Sequence, residues 1–294
     1  CMSAFVGADI TTALLASGIC SKPDTRMLVD IGTNGEIALW HRGQLSCCST
    51  AAGPAFEGAG LSMGMAGKTG AVDHVRVQDG ALQAHVIGGG APKGICGSGV
   101  IDALIAEKKA AGQMGVGSHP RTRPDFLEAE AVSRLLRIAQ AVDIPVVIVH
   151  LTNEAALREV EAARKRGQRV YVETCPQYLV LEDSVYDAPE YSMAARYVCA
   201  PPIRKERDQQ ALWTALRKGE IQTVSTDHCS FTLEQKDAGR GDFTKIPGGL
   251  PGVENRGELL YTYGVTTRKI SLATMCRVLA EKPAKLYGMF PRKG

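Results

Sequence analysis

The sequence VSTDHCSF at residues 224–231 places an acidic side chain beside an imidazole, directly after a short apolar run. In proteins built from β/α units, residues that do chemistry collect where the strands end. A carboxylate at such a place can ligate a metal and can also move a proton to and from a bound hydroxide. His228 follows Asp227 directly and is expected to point elsewhere. Asp227 is therefore the candidate catalytic residue.

A second candidate is His150, which follows the apolar run IPVVIV and so ends another predicted strand. Imidazole is a good zinc ligand, so His150 and Asp227 together predict a metal site. For each residue alone, a capping role at its strand or turn is the simpler interpretation, and their equivalent positions favour a site. His119 is expected in a loop. Cys175 and Cys199 are expected to be buried thiols rather than ligands or nucleophiles.

The segment that carries both candidates alternates between helical and extended patterns. Helical spacing of apolar residues is seen in DFLEAEAVSRLLRIAQAV, NEAALREVEAARKRG and KERDQQALWTALRKG, and extended patterns in IPVVIVH, QRVYVETC and EIQTVSTDHC. Asn153 is a suitable N-cap for the second helix and Gly167 a suitable stop. Apolar strands that alternate with helices predict a parallel α/β architecture, either an open sheet or a barrel.

The first hundred residues differ in composition from the rest of the chain. They hold 13 charged side chains, against 52 in residues 101–294, and 18 of the 32 glycines. The run MLVDIGTNGEIALW predicts a strand, a tight turn and a strand. Asp30, Gly32, Thr33 and Asn34 could clamp a phosphate there, with the aspartate holding Mg²⁺ and backbone N–H groups approaching the anion. An ordinary hairpin turn is the alternative.

A glycine-rich stretch at residues 86–112 predicts a loop that leads into a helix beginning near Ser98. Backbone N–H groups at such a helix start can bind phosphate. The stretch lacks both the Walker A ending and the spacing of a dinucleotide fingerprint, so we interpret it as a structural loop. The change in composition near residue 100 predicts two units, residues 1–99 and residues 100–294.

The overall composition excludes several classes of protein. The chain has 294 residues, 45% of them hydrophobic and 22% charged, as in ordinary globular proteins. No apolar run reaches the ~18 residues of a membrane span, and no signal-peptide pattern opens the sequence. The net charge of +3 is small and dispersed, which argues against nucleic acid as a partner. Nine cysteines without paired spacing predict free thiols and a cytoplasmic location.

Several blocks in residues 4–105 resemble one family. FVGADITTALLASGI, LVDIGTNGEIAL, STAAGPAFEGAGLSMGM and KGICGSGVIDALI are similar to the C-terminal part of the reductive activators of corrinoid proteins. These are ATP-dependent redox proteins with an actin-like fold. The resemblance implies an RNase-H-like lobe in which Asp30, Gly32, Thr33 and Asn34 face the phosphates of ATP with Mg²⁺. Because ATP lies between two lobes in that fold, one lobe is expected to bind it weakly or not at all.

Residues from about 100 to 294 resemble a second family. VVIVHLTNEAAL, VYVETCPQYLVLEDSVY and YVCAPPIRKERDQQALWTALRKGEIQTVSTDHCSF look like the dihydropyrimidinase/hydantoinase branch of the amidohydrolases. Those enzymes open cyclic amides, dihydropyrimidines or hydantoins, at a two-zinc site in a TIM barrel. The resemblance implies the C-terminal half of such a barrel. His150 would ligate one zinc, and Asp227 would ligate the other and act as the general base. Ala200 and Gly248 would be substrate-binding positions, where the family has Ser and Asn.

The resemblance also implies an incomplete site. The family's His-x-His pair, bridging lysine and further histidine have no counterpart in the sequence, so little or no activity is expected from the chain alone. Two truncated matches that meet in GSGVIDALIA predict a chimera. Three functions stay open: a zinc-dependent cyclic amidohydrolase by descent, an ATP-binding accessory protein, and a non-catalytic fragment that acts within an oligomer. A homo-oligomer is expected, because half a barrel exposes strand edges.

Overall fold

The computed structural model describes residues 14, 18–21, 23–31, 34–51, 63–65, 67–78 and 81–293. Over these residues the protein has a mixed α/β fold with three sheets of three strands each, in the orders β1-β2-β3, β5-β4-β6 and β7-β8-β9. The strands are β1 (Arg26–Ile31), β2 (Asn34–His41), β3 (Gln44–Ala51), β4 (Ala71–Gln78), β5 (Ala81–Val86), β6 (Gly94–Ile95), β7 (Val146–Ile148), β8 (Val170–Thr174) and β9 (Thr223–Val224).

The first two sheets are built from neighbouring segments of the chain. Strands β1, β2 and β3 pair antiparallel in sequence order, which confirms the two strands predicted within residues 27–40. In the second sheet β4 pairs antiparallel with β5 and parallel with β6. The predicted turn residues Gly32 and Thr33 lie outside the described residues.

The α-helices in the described residues are α1 (Gly97–Ala110), α2 (Ser118–Arg121), α3 (Asp125–Ala141), α4 (Glu154–Lys165), α5 (Pro176–Val180), α6 (Tyr191–Ala195), α7 (Glu206–Lys218), α8 (Leu233–Asp237), α9 (Arg256–Leu260), α10 (Leu272–Cys276) and α11 (Lys282–Leu286). Two π-helical turns, Tyr261–Val265 and Arg277–Glu281, continue α9 and join α10 to α11. Short 3-10 turns cover Ile19–Ser21, Asp183–Asp187 and Phe243–Lys245. The predicted helix start near Ser98 agrees with α1.

The third sheet is parallel throughout, as the alternation of strands and helices predicts. Helix α4 connects β7 to β8, and α5, α6 and α7 lie between β8 and β9. The Asn153 side chain caps α4 by accepting from the N–H of Ala156 at 2.8 Å, and Gly167 follows the helix with φ at 87°, so both predicted helix signals are confirmed. The predicted strand EIQTVSTDHC is regular only at Thr223 and Val224.

A continuous apolar core lies between this sheet and its helices. Leu136 of α3, Val160 of α4, Leu212 of α7 and Val172 of β8 are fully buried within it. Burial of each such side chain stabilises the fold by about 1.5–3 kcal/mol. The core therefore fixes the positions of the three strands, and with them the edge at which the strands end.

Candidate functional site

The two candidate ligands lie at the same edge of the parallel sheet. His150 follows the last residue of β7 by two positions, and Asp227 follows the last residue of β9 by three. Strand β8 runs between these two strands and ends at Thr174. Backbone bonds continue the pairing beyond the strands, from Leu151 N–H to the Glu173 carbonyl and from Ser225 N–H to the Thr174 carbonyl. The structure thus brings both predicted residues to one edge.

Both candidates have a left-handed backbone, with φ at 38° for His150 and 47° for Asp227. For a residue other than glycine this conformation costs about 1–3 kcal/mol, and residues held in it cluster at functional sites. Histidine and aspartate are among the side chains that tolerate it best. Two such residues at equivalent strand ends are an independent sign that this edge does more than close the strands.

Glu173, near the end of β8, connects the two candidates. Its carboxylate accepts hydrogen bonds from the Ser225 side chain and from the His150 backbone N–H. Burial raises the pKa of Glu173, the charge of His150 lowers it and that of Asp227 raises it. Glu173 thus joins the backbone at His150 to Ser225, two residues before Asp227.

A buried ion pair holds the loop that follows His150. Thr152 donates its N–H to the Glu128 carboxylate at 2.8 Å and donates its hydroxyl to the same group. Arg204 donates to Glu128 at 3.0 Å, to the Thr152 hydroxyl at 3.0 Å and to the Arg123 carbonyl at 2.6 Å. These hydrogen bonds tie the loop after β7 to the start of α3 and to Arg204.

The two predicted substrate-binding positions are neighbours on the surface. A Cβ atom at Gly248 would lie 3.7 Å from the Ala200 nitrogen and 3.9 Å from its Cβ, and both residues are exposed. Replacing the family's Ser and Asn by these residues leaves no polar side chain at either position. Any polar contact to a ligand there comes from the backbone.

Lys236 holds the two loops that carry those positions. Its ammonium group donates to the carbonyls of Val198 and Pro247 at 2.7 Å each and to that of Gly249 at 2.9 Å. The residue is only 4% exposed, and burial lowers the pKa of Lys236 to about 8. A lysine with these partners positions backbone, and nothing in its sequence context signals this role.

His119 supports the same region, and the loop interpretation of this residue is wrong. His119 lies in α2 and is buried, with its Nε2–H donating to the Cys199 carbonyl at 2.8 Å. Its Nδ1 atom accepts from Arg123 at 3.4 Å. Burial, followed by the Arg123 charge, lowers the pKa of His119 to about 3. The imidazole is therefore neutral and acts as a fixed hydrogen-bond bridge.

The remaining predictions from single residues agree with the structure. Cys175 and Cys199 are buried, and burial raises the pKa of Cys199 to about 12 and that of Cys175 well above its usual value. Neither thiol is a nucleophile in this state. His228 is occupied by a neighbouring loop, since its Nδ1 accepts from the N–H groups of Gly252 and Val253.

The residues present do not make a complete zinc site. Across the part of the chain that the structure describes, no three His, Cys, Asp or Glu side chains come together in a way that could hold a metal ion. A zinc ion usually takes at least three protein ligands. His150 and Asp227 are thus at most part of a ligand set.

The predicted phosphate clamp is described only in part. Asp30 pairs with Glu36 in the β1–β2 ladder, and Asn34 begins β2. Gly32 and Thr33 lie outside the described residues. The nucleotide-binding role of this turn stays a prediction.

Comparison with known proteins confirms both resemblances. The model of the C-terminal domain of RACo, the ASKHA domain, matches residues 24–141. D-hydantoinase of Rhizobium radiobacter is 46% identical over 60% of this chain and 38% of its own length. D-phenylhydantoinase of Escherichia coli O1:K1 / APEC is 42% identical over 66% of this chain and 42% of its own.

Solved structures also show the likeness to this family. The dihydropyrimidinase of Brevibacillus agri NCHU1002 superposes with a TM-score of 0.64 and 42% identity, over 66% of this chain and 42% of that one. Most of this chain is similar to the D-hydantoinases. It spans about two fifths of the length of these relatives. The hydantoinase-like match is 199 residues long, which is more than the part of the chain outside residues 24–141, so the two matches share residues.

None of the helices in the described ranges is both long and apolar enough to cross a bilayer.

Proposed function

We propose that residues from about 100 onward are part of a hydantoinase-type cyclic amidohydrolase, a hydrolase that opens the C–N bond of a cyclic amide. They contribute His150 and Asp227 to its metal site, which in that family holds zinc. The observation that carries the proposal is the placement of these two residues at one edge of the β7–β8–β9 sheet, both with a left-handed backbone. The similarity to D-hydantoinases and dihydropyrimidinases supports it.

The same sheet is evidence for the predicted partial barrel. Three parallel strands with helices between them are one segment of a (β/α) barrel, whose chemistry lies at the carboxyl ends of the strands. Two ligands do not hold a catalytic zinc pair. We therefore expect weak zinc binding and little or no cyclic-amide hydrolysis by this chain alone.

Zinc titration of matched variants tests the ligand assignment. Asp227→Asn and His150→Asn keep side chains that tolerate a left-handed backbone, so the fold is retained and only a ligand is lost. Each is expected to weaken zinc binding at least about tenfold, the scale of a lost metal-site contact. Asp143→Asn is the control, because Asp143 is also exposed with φ at 49° but lies before β7. Equal zinc affinity in all three variants would remove the basis of the proposal.

The match to the ASKHA domain favours a second candidate function, weak binding of ATP with Mg²⁺ at the β1–β2 turn. Nucleotide titration tests it with Asp30→Ala, which is expected to abolish binding. Asp24→Ala is the control, since Asp24 lies before β1 and accepts a hydrogen bond from the neighbouring Arg26 side chain at 3.0 Å. Equal binding by the two variants would refute a role for Asp30.

An oligomeric role rests on the edge of the parallel sheet. Among the described strands β7 pairs only with β8, and Val142, Ile144 and Val149 beside it are exposed. An open apolar edge favours pairing with another chain. Sedimentation analysis is expected to show a homo-oligomer, and a monomer that stays soluble at high concentration would contradict this.

A further inference from the structure

His228, the residue that follows Asp227, joins the end of β9 to a loop far along the chain. Its half-buried imidazole accepts hydrogen bonds at Nδ1 from the N–H groups of Gly252 at 3.1 Å and Val253 at 3.3 Å. Since a ring nitrogen accepts only through its lone pair, Nδ1 carries no proton in this arrangement. The backbone of His228 also forms a parallel β-bridge with Leu250. One residue thus ties the turn at Asp227 to that loop.

The backbone at Asp227 needs such constraints. Its φ of 47° is left-handed, and an isolated residue stays in that conformation only where the surrounding structure imposes it. On one side, the Gln177 side chain donates to the Thr226 carbonyl at 3.3 Å. A Cβ atom at Gly252 would lie 3.1 Å from the Thr226 Cβ, so the loop lies closely against this side as well. On the other side, the His228 imidazole fixes the chain to the same loop.

The loop that His228 contacts, residues 247–253, also carries the candidate substrate position Gly248. Lys236 holds the beginning of this loop by donating to two of its carbonyls, and His228 holds its end. A loop fixed at both ends keeps its position relative to the residues that hold it. The turn at Asp227 and the backbone at Gly248 are therefore connected through His228.

We propose that His228 is a positioning residue of the amidohydrolase site, which keeps the Asp227 carboxylate at a fixed position relative to the backbone at Gly248. The roles of Asp227 and Gly248 rest on the proposed function, whereas the contacts of His228 do not. The essential atom is Nδ1, because it accepts from both loop N–H groups. The Oδ1 atom of asparagine is also bonded to Cγ and also accepts, so His228→Asn keeps the anchor. Leucine and alanine side chains offer no acceptor.

Amide hydrogen exchange of the purified chain, without added metal, tests the anchor. In His228→Leu and His228→Ala, exchange at Gly252 and Val253 is expected to be about tenfold faster, because their shared acceptor is lost. His228→Asn is expected to keep the wild-type rates. The Cys229 N–H donates to the Leu250 carbonyl and not to the ring. It should follow the same pattern, because the anchor holds that contact in place.

A spectroscopic readout follows the left-handed residue itself. The Cα and Cβ chemical shifts of Asp227 report its backbone conformation. They are expected to move much further in His228→Leu and His228→Ala than in His228→Asn. A contribution to stability alone would instead raise exchange throughout the domain and leave the three variants with similar shifts at Asp227. Circular dichroism verifies that each variant is folded.

Asp242→Ala is the matched control, since the Asp242 carboxylate also accepts a backbone N–H, that of Thr244 at 3.1 Å, but within its own turn. It is expected to leave exchange at Gly252 and the shifts of Asp227 unchanged. Equal exchange at Gly252 in His228→Ala and His228→Asn would overturn the proposal, and so would equal shifts of Asp227 in these two variants. Zinc titration of Asp227→Asn tests the ligand role separately, so the two proposals can fail independently.

Discussion

The molecule holds two pairs of polar side chains in opposite ways. His150 and Asp227 end two parallel strands, and the loops around them are held by buried groups from distant parts of the chain, such as Glu128. His74 and His85 lie on an exposed hairpin and are brought together by the register of two neighbouring strands. The first pair depends on the whole packed domain, whereas the second depends on one hairpin and one helix. Substitutions around the two pairs should therefore differ strongly in how much they destabilise the fold.

The largest effect is expected from Glu128→Ala. Arg204, whose side chain is 9% exposed, would keep a buried charge without its carboxylate partner. Breaking a buried pair in this way costs about 3–5 kcal/mol, and the loop at Thr152 also loses two hydrogen bonds. Urea denaturation measures the loss.

The matched control for that prediction is Glu154→Ala. Glu154 forms an i,i+4 pair with Arg158 at 2.7 Å, in which the side chains are 40% and 70% exposed. Such a pair contributes about 0.3–0.5 kcal/mol. If Glu128→Ala and Glu154→Ala lower the free energy of unfolding equally, the buried Glu128–Arg204 pair is not what distinguishes the two regions.

The next largest effect is expected from Lys236→Met. Three backbone carbonyls lose their shared donor, and an unsatisfied buried acceptor costs about 1–3 kcal/mol. We expect a loss of about 3 kcal/mol together with faster amide exchange at Gly248 and Gly249. The exposed Lys245→Met serves as control, and an unchanged exchange rate in Lys236→Met would show that the lysine does not hold these loops.

An intermediate effect depends on pH through His119. Because its pKa falls from 6.5 to about 3 on folding, the unfolded chain binds a proton between these values and the folded protein does not. The contribution of the neutral His119 side chain to the free energy of unfolding is fully present above pH 6.5 and is lost as the pH falls toward 3. At pH 5 the loss is about 2 kcal/mol. The stability gap between wild type and His119→Gln should shrink by this amount from pH 7 to pH 5. Parallel pH profiles would contradict a buried neutral imidazole.

The smallest effect on stability is expected in the hairpin. Asp73→Asn removes an ion pair with His85, whose side chain is 57% exposed, and exposed pairs contribute less than about 1 kcal/mol. Thermal melting without added metal measures it. A loss as large as that of Glu128→Ala would mean that the hairpin pair is a structural element of the fold.

Local patterns predicted the parts of the structure that local physics determines. Apolar periodicity predicts the alternation that places His150 and Asp227 after strands, and the capping preference of asparagine predicts the role of Asn153. Resemblance added the chemistry, and the comparisons confirm the likeness. The roles of His150 and Asp227 as ligands stay predictions.

The remaining features depend on partners far along the chain or on fine register. His119 and its acceptor at Cys199 are 80 residues apart, and Lys236 and Val198 are 38 residues apart. No local pattern reveals such pairs. Glu173 gave a weak signal, as a charged residue inside an otherwise apolar strand. The one-residue bulge at Asp73 has no signature in residue types alone.

The origin of the two halves is open to a direct check. Sequencing of the source locus across residues 80–130 provides this check. If each half continues into its own family there, the predicted chimera is ruled out. Reads through GSGVIDALIA in this order would support the predicted chimera.

The most direct test of the central claim measures zinc content and cyclic-amide hydrolysis on one sample of the purified chain. Hydantoin and dihydrouracil are the substrates. With only His150 and Asp227 as ligands, we predict well under two zinc ions per chain and little or no turnover. Two firmly held zinc ions with rapid hydrolysis that Asp227→Asn abolishes would show that the site is complete and contradict the account.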